Sequence, residues 1–164
     1  MTLDEKISRP LFDWARKKHW SREAAIFCAS FLIWLMAGFA LGTVFPSVHR
    51  IFPMLFLPWG ISMLFSEWIR RPRPFFSEHY KPLIELAIPT PSFPSQHTTI
   101  AFSLVVIFLN EPLVWPFMLL AAVLVGLGRL AVGVHYVSDV VVGALMGFGL
   151  AYAMRVVLSL ISYV

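Results

Sequence analysis

The sequence predicts an all-α integral membrane protein: a bundle of about five transmembrane helices preceded by an amphipathic helix at the membrane surface. Composition is the first reason. Of the 164 residues, 59% are hydrophobic and only 13% are charged, whereas soluble domains contain about 25% charged residues. The second reason is that the apolar residues are gathered in five long runs. Lipid is the solvent that such runs need.

The N-terminal segment, residues 1–21, mixes charged and large apolar side chains. This pattern predicts an amphipathic helix lying on the membrane surface, with a break near Pro10; a solvated tail is the alternative. Charged residues come before any apolar run, so the segment differs from a cleaved signal peptide. The single cysteine, Cys28, has no partner for an internal disulfide.

The five apolar runs predict the five spans, at residues 24–45, 51–69, 97–109, 113–130 and 140–162. About 20 helical residues cross the hydrocarbon core, so the third span is short unless its helix begins at Ser95 and its neighbours shield it. Pro53 and Pro58 are expected to kink the second span, which adjacent helices tolerate. We expect residues 1–164 to form a single membrane-embedded domain.

Residues 70–96 form the longest linker, which is polar and rich in proline, and a loop of this length is more often functional than idle. With five spans, this loop and the connection between spans four and five open on the same side of the membrane. Most of the unusual polar residues fall in these two places: Arg70, Arg71, Arg73, Ser95, His97, Arg129, His135 and Asp139. Because charges beside a span are costly, their clustering predicts an active-site loop.

These polar residues fall into three groups along the chain, and each group also has an ordinary explanation when it is taken alone. Arg71 and Arg73 suit a phosphate because a guanidinium donates two parallel hydrogen bonds, but a collar of snorkelling cations is the alternative. Ser95 as the N-cap of span three, with His97 in the first turn, predicts an anion site at a helix N-terminus. An ordinary cap with a hydrogen-bonded histidine is the alternative there.

The third group is His135 and Asp139, which are four residues apart, so on a helix they share a face and can form a hydrogen bond. A carboxylate on one imidazole nitrogen leaves the other free to attack, and a structural His–Asp pair is the alternative. Phosphoryl transfer needs cationic donors, an in-line nucleophile and an acid for the leaving oxygen. The three groups together supply all of these, which favours a phosphatase acting on a lipid phosphate or diphosphate.

The chain resembles the type 2 phosphatidic acid phosphatases, which share an active site with vanadium haloperoxidases. The family's three motifs are a lysine seven residues before Arg-Pro, then Pro-Ser-Gly-His, then Ser-Arg followed by a spaced histidine and aspartate. The matching segments here are Arg73-Pro74, Pro94-Ser95-Gln96-His97, and Gly128-Arg129 with His135 and Asp139. The sequence departs from the family at three positions: Ser66 for the lysine, Gln96 for glycine and Gly128 for serine.

The resemblance implies a role for each matching residue. His135 would be the nucleophile that forms a phosphohistidine, Asp139 would orient it, and His97 would protonate the leaving oxygen. A larger set would hold the phosphate oxygens: Arg73, Arg129, Ser95, the Gln96 N–H and, as candidates to replace the missing lysine, Arg70 and Arg71. Neither a metal nor another cofactor is implied.

The weak first motif and the non-glycine residue before His97 make the chain most similar to bacterial undecaprenyl diphosphate phosphatases of the bacitracin-resistance type. Undecaprenyl diphosphate is therefore the first expected substrate, and phosphatidylglycerophosphate or phosphatidate is the alternative. A polyprenyl-phosphate carrier or flippase would need the arginines but not the His135–Asp139 pair. A metal site built from His79, His97, His135 and carboxylates is disfavoured by the neighbouring arginines, which would repel a cation. Membrane lipids are the other expected partners, and nucleic acid is not expected.

Orientation in the membrane is predicted differently by two arguments. Most Lys and Arg residues share the side of the predicted site, which the positive-inside rule assigns to the cytoplasm. The family resemblance implies a bacterial plasma membrane protein with its active site on the extracytoplasmic face. We expect the family's orientation. Nothing in the sequence predicts an oligomeric state.

Overall fold

The computed structural model describes residues 3–44, 48–85 and 90–161, and every regular element within these ranges is helical. In chain order they are α1 (Leu3–Ala15), α2 (His19–Ile26), a π-helix (Phe27–Phe31), α3 (Leu32–Val44), α4 (Val48–Ile69), α5 (Pro74–Ser77), α6 (Gln96–Ile107), α7 (Trp115–Ala131) and α8 (Val137–Ile161). The predicted all-α class is confirmed. The predicted span ends at Phe45 and Ser162 lie outside the described residues.

The membrane-spanning character also agrees with the prediction. Three stretches are long and apolar enough to cross a membrane, His19–Thr43, Ile51–Ser77 and Val137–Ile161, while α6 and α7 are apolar but shorter. Large apolar side chains cover the outside of the bundle: Trp34 is 73% exposed and Trp68 is 80% exposed. Soluble proteins rarely expose so much contiguous apolar surface. The exposed aromatic residues therefore indicate that lipid surrounds the bundle.

Helices α6 and α8 approach closely because α8 presents glycines to α6. A Cβ atom at Gly147 would overlap the Thr99 carbonyl oxygen, and one at Gly143 would lie 2.7 Å from the Ser95 carbonyl oxygen. Ser103 adds a hydrogen bond from its hydroxyl to the Gly147 carbonyl oxygen at 3.0 Å. Small residues spaced in this way are typical of close helix contacts in membranes. The contact fixes the start of α6 against the first turns of α8.

Helix α6 is short, as predicted for the third span, and Arg155 of α8 closes its C-terminal end. The Arg155 Nη1 atom donates to the Val106 carbonyl oxygen at 2.7 Å. The last carbonyls of a helix have no intrahelical partner, and within a bilayer they need an internal donor. This hydrogen bond explains how the bundle accommodates a helix of 12 residues.

Helix α1 is amphipathic, as predicted, but it continues through Pro10 instead of breaking there. Contacts on both sides of the proline hold it on the bundle. Phe12 is 2% exposed and stacks on Tyr80, with ring centroids 4.6 Å apart. Ile7 and Trp14 point outward, at 55% and 44% exposure. The helix therefore has one face on the protein and an apolar edge directed away from it.

The long linker between α4 and α6 lies along the connection between α7 and α8. Its described part contains the short helix α5, which Pro74 starts from the first helical position. The Tyr80 hydroxyl donates to the Gly133 carbonyl oxygen at 2.8 Å, and the Leu83 N–H donates to the Val132 carbonyl oxygen at 3.0 Å. These contacts bring the two predicted functional segments together. Residues 86–89 of the linker lie outside the described residues.

Candidate active site

One small cavity gathers five of the side chains predicted for the site. It has a volume of about 110 Å³ and is lined by Arg73, Thr90, Pro91, Pro94, Gln96, His97, Arg129 and His135. Pockets that enclose drug-sized ligands measure ~300–1,000 Å³. The cavity therefore has room for a phosphate-sized group, and a lipid tail must lie outside it.

Arg73 is a buried cation whose side chain is held in place by the linker. Its Nε and Nη2 atoms donate to the carbonyl oxygen and the hydroxyl of Thr90, both at 2.8 Å. Its Nη1 atom donates to the Val134 carbonyl oxygen at 3.0 Å and lies 3.3 Å from His135 Nε2. Because these contacts fix the guanidinium plane, Arg73 presents a preorganised positive charge to the cavity.

His135 is 3% exposed, and its hydrogen bonds define which nitrogen carries the proton. Nδ1 lies 2.8 Å from the Ser92 carbonyl oxygen and 3.5 Å from the Asp139 carboxylate, both of which only accept. Nε2 faces Arg73, which only donates. The proton is therefore assigned to Nδ1, and the lone pair to Nε2.

Burial also keeps this imidazole neutral. Desolvation lowers the pKa of His135 from 6.5 to about 4; the Asp139 carboxylate opposes this shift, and the charges of Arg129 and Arg73 add to it. A neutral imidazole has the free electron pair that a nucleophile needs. At pH 7 the His135 imidazole is therefore neutral, and its Nε2 atom keeps a lone pair.

Asp139 lies beside His135, as the sequence predicts, with Oδ2 at 3.5 Å from Nδ1, but the Ser92 carbonyl oxygen is the closer partner of Nδ1 at 2.8 Å. His135 precedes α8, so the two residues do not share a helical face. Asp139 Oδ2 accepts from the Tyr136 N–H at 2.9 Å, and Oδ1 accepts from Arg71 Nη1 at 2.8 Å. A carboxylate in the first turn of a helix reaches back to a free N–H in this way. Asp139 therefore acts on His135 as a charge at 3.5 Å.

The first turn of α6 supplies the second imidazole. Ser95 is the N-cap residue, as predicted, and both Gln96 and His97 line the cavity. The first intrahelical bond of α6 runs from the Thr99 N–H to the Ser95 carbonyl oxygen at 2.9 Å. The N–H groups of Gln96 and His97 precede that bond, at the positive end of the helix, where an anion is favoured.

The hydroxyl of Ser95 is not brought to the cavity, although the resemblance gives it a phosphate contact. Ser95 is fully buried, and its Oγ atom lies 3.0 Å from the Thr98 hydroxyl. The close approach of Gly143 to the Ser95 backbone leaves this residue inside the contact between α6 and α8. In the structure, Ser95 is the residue at which α6 begins.

Arg129 enters the cavity from α7 and is 3% exposed. Its Nη1 atom donates to the Ala29 carbonyl oxygen in the π-helix at 3.2 Å. Its Nε atom is buried and has no hydrogen-bond partner within the described part of the chain. Buried donors without partners are costly. Burying this guanidinium is therefore costly, and Arg129 nevertheless lines the cavity.

Arg70 and Arg71, the candidates to replace the lysine at the Ser66 position, do not line the cavity. Arg70 has a left-handed backbone, with φ of 48°, and its exposed side chain pairs with Glu67 at 3.8 Å. Arg71 is held between two carboxylates, at 2.9 Å from Asp4 and 2.8 Å from Asp139. Ser66 is buried within α4. Among the described residues, Arg73 and Arg129 are the arginines that line the cavity, and none of the described cations takes the place of the family's lysine.

Several contacts of the site have no signature in the sequence. Thr90 holds Arg73, the Ser92 carbonyl holds His135, the Ala29 carbonyl holds Arg129, and Asp4 holds Arg71. His79, considered above as a metal ligand, is exposed, and its Nδ1 atom lies 2.8 Å from the Phe76 carbonyl oxygen. In the residues that the structure describes, no group of three or more His, Cys, Asp or Glu side chains is placed to hold a metal ion.

Comparison with known proteins adds to this geometry. The PAP2 superfamily model matches residues 54–161, which include every residue lining the cavity. No curated protein matches significantly. The crystal structure of LpxE from Aquifex aeolicus has a TM-score of 0.76 at 22% identity, over 94% of this chain and 96% of that chain. The first transmembrane PAP2 type phosphatidylglycerolphosphate phosphatase from Bacillus subtilis has a TM-score of 0.71 at 26% identity, over 93% and 82%.

Proposed function

The chain belongs to the PAP2 superfamily and is a membrane lipid phosphatase of that family, and we propose that it hydrolyses undecaprenyl diphosphate to undecaprenyl phosphate through a phosphohistidine. One observation carries the mechanism. Two imidazoles and two guanidinium groups line a single phosphate-sized cavity, and the Nε2 atom of His135 carries its lone pair beside Arg73 Nη1, at 3.3 Å.

The first step is attack by His135 Nε2 on the terminal phosphorus. The new P–N bond forms as the bridging P–O bond breaks, and the electron pair goes to the lipid monophosphate oxygen, which His97 protonates. A bound phosphate favours the protonated form of His97 because opposite charges attract. Arg73, Arg129 and the N–H groups at the start of α6 stabilise the charge on the equatorial oxygens.

The second step returns the enzyme to its starting state. A water molecule attacks the phosphohistidine, and His97 now accepts the proton of the water. The P–N bond breaks, inorganic phosphate leaves and His135 Nε2 regains its lone pair. Asp139 stabilises the positive charge that the imidazole carries as the phosphohistidine forms. No step requires a metal ion.

The proposal of undecaprenyl diphosphate as the substrate rests on two positions at which the chain departs from the family motifs. Gln96 lines the cavity where the family has glycine, and Ser66 leaves the first motif without its lysine. Both features resemble undecaprenyl diphosphate phosphatases of the bacitracin-resistance type. Phosphatidylglycerophosphate is the second candidate, favoured by the 26% identity to the Bacillus subtilis enzyme.

Phosphate release by the purified protein in detergent tests both levels of the proposal. We expect turnover of undecaprenyl diphosphate to exceed that of undecaprenyl phosphate, phosphatidylglycerophosphate and phosphatidate. His135→Ala and His97→Ala are each expected to reduce turnover by at least ~10³-fold while the protein stays folded, as removal of a nucleophile or its acid does elsewhere. Activity in chelator should equal that in buffer.

Different outcomes reject different parts. Preference for phosphatidylglycerophosphate would replace the substrate and keep the mechanism. Wild-type turnover by His135→Ala would reject the phosphohistidine. Lipid transport that survives loss of both histidines, without phosphate release by the wild type, would favour a carrier or flippase.

A further inference from the structure

Helix α1 reaches the first turn of α8 through one carboxylate. Asp4 Oδ1 accepts from the Ser138 N–H at 3.0 Å, and Oδ2 accepts from the Ser138 hydroxyl and from Arg71 Nη2, the latter at 2.9 Å. We propose that Asp4 is a positioning residue for the reaction, acting through Arg71 on Asp139 and His135. The inference rests on the proposed phosphohistidine mechanism.

Arg71 links the two carboxylates. Its Nη2 atom contacts Asp4, while its Nη1 atom contacts Asp139 at 2.8 Å and the Ser138 hydroxyl at 2.6 Å. Its guanidinium carbon lies 4.0 Å from the centre of the Tyr136 ring, a cation–π contact. These contacts occupy both ends of the planar guanidinium group, so the position of Asp139 depends on Asp4.

The negative charge of Asp4 persists although the side chain is only 18% exposed. Burial alone would raise the pKa of Asp4, but hydrogen bonds from Ser138 and Arg71 hold it below its ordinary value. The helix N-terminus of α8 adds to this stabilisation. Two carboxylates therefore share one arginine at the start of the helix that carries Asp139.

Attachment of α1 alone does not account for this network. Phe12 already packs against Tyr80 and over Gly133, and Arg9 pairs with Glu78 at 2.6 Å. Partly buried charges are an expensive way to anchor a helix that apolar contacts already hold. The contribution of Asp4 is that the Arg71 charge is shared between two carboxylates, Asp4 and Asp139. Without it, Arg71 would neutralise Asp139 alone, and Asp139 would stabilise the phosphorylated imidazolium less.

Asp4→Asn tests the inference because it keeps the shape and removes the charge. We expect kcat for a short-chain isoprenoid diphosphate in detergent to fall roughly tenfold, because Asp139 stabilises the phosphorylated imidazolium less once Arg71 pairs with Asp139 alone. The KM should change by less than about twofold, because Asp4 lies outside the cavity and contributes no substrate binding. Asp13→Asn is the matched control: it makes the same change on the same helix, where Asp13 pairs with Arg16 at 3.1 Å.

A double-mutant cycle separates positioning from general stability. Asp4→Asn should have no further effect on kcat in an Arg71→Gln background, whereas independent effects would multiply. Asp13→Asn should leave kcat at the wild-type value in both backgrounds. If Asp4→Asn does not fold, Asp4→Glu replaces it, and the same fall in kcat at constant KM is expected because the charge is displaced.

Wild-type kcat in Asp4→Asn, or multiplicative effects in the cycle, would overturn the inference and leave the phosphatase mechanism standing. A wild-type protein that releases phosphate from no lipid would instead overturn the proposed function, and the inference with it.

Discussion

The protonation of His135 is decided by the backbone at Ser92. The carbonyl oxygen lies 2.8 Å from Nδ1, closer than the Asp139 carboxylate at 3.5 Å. That carbonyl is itself fixed, since the Ser92 N–H donates to the Arg71 carbonyl oxygen at 2.9 Å. The tautomer of His135, the proposed nucleophile, is therefore set by the proline-rich linker, and Asp139 contributes charge.

The first prediction concerns this imidazole. Its pKa of about 4, lowered from 6.5 mainly by burial, means that His135 stays neutral until the pH falls well below 6.5. The unfolded chain binds that proton first, so His135 decreases the free energy of unfolding as the pH falls from 6.5 toward about 4. NMR of histidine-labelled protein in detergent, assigned with His135→Gln, should show an Nδ1–H tautomer at pH 7. Titration near 6.5, or an Nε2–H tautomer, would contradict the assignment.

At this scale the sequence predicts chemistry better than geometry. The sequence draws attention to His97, His135, Arg73 and Arg129 because ionisable side chains beside a membrane span are costly and are therefore usually functional. It cannot identify Ser92 or Ala29, because a backbone carbonyl is the same in every residue. The predicted pairing of His135 with Asp139 is present at 3.5 Å, but spacing alone does not reveal that α8 starts after His135 or that the Ser92 carbonyl oxygen lies closer.

At the scale of elements, the π-helix in the first span gives Arg129 its place. A π-helical turn is often found at functional sites, and here the Ala29 carbonyl within it accepts from Arg129. Helix α7 must come very close for this. A Cβ atom at Gly128 would lie 2.6 Å from the Ala29 nitrogen and 2.8 Å from the Cys28 carbonyl carbon. The close packing of α7 against the π-helix therefore requires glycine at position 128, where the family motif has serine.

The second prediction follows from that contact. Gly128→Ser restores the residue of the family motif, yet it should push α7 away from the π-helix and displace Arg129. We expect overpacking to destabilise the protein by about 1–3 kcal/mol and phosphate release to fall at least about tenfold. Thermal unfolding in detergent and phosphate release measure the two effects.

Gly149→Ser is the matched control for this experiment. Gly149 is also helical, and a Cβ atom there would meet nothing within 4 Å. The control should retain wild-type activity and stability. Equal behaviour of the two serine variants would contradict the packing explanation.

The helices themselves were predictable because long apolar runs in the sequence mark the segments that lie in lipid. Each predicted span corresponds to a helix or a continuous run of helices, since lipid leaves the backbone few alternatives. The π-helix and the course of α1 through Pro10 were not predictable, since both depend on tertiary contacts. Gly143 and Gly147 do carry a readable signal, the small-residue spacing of close membrane helices, and this spacing would have predicted the contact between α6 and α8.

At the scale of the whole molecule, the cations near the site serve two different purposes. Arg73 and Arg129 are buried in the cavity, and Arg71 lies between carboxylates. The positive-inside rule concerns Lys and Arg in short loops during insertion, whereas these three arginines have partners at the proposed site in either orientation. The exposed Lys17 and Lys18, between α1 and α2, are free to contact lipid head groups. The proposed extracytoplasmic site is compatible with this division.

The last prediction tests that orientation with two cysteines in a Cys28→Ser background. Lys81 is 84% exposed in the linker beside the site, and Glu111 is exposed in the turn between α6 and α7. One span separates these positions, so they lie on opposite sides of the membrane. A membrane-impermeant maleimide added to intact spheroplasts should label Lys81→Cys, because an extracytoplasmic site places the linker outside. Glu111→Cys should react only after lysis. The reverse pattern would put the site in the cytoplasm, as the positive-inside rule predicts, and labelling of both before lysis would contradict the five-span arrangement.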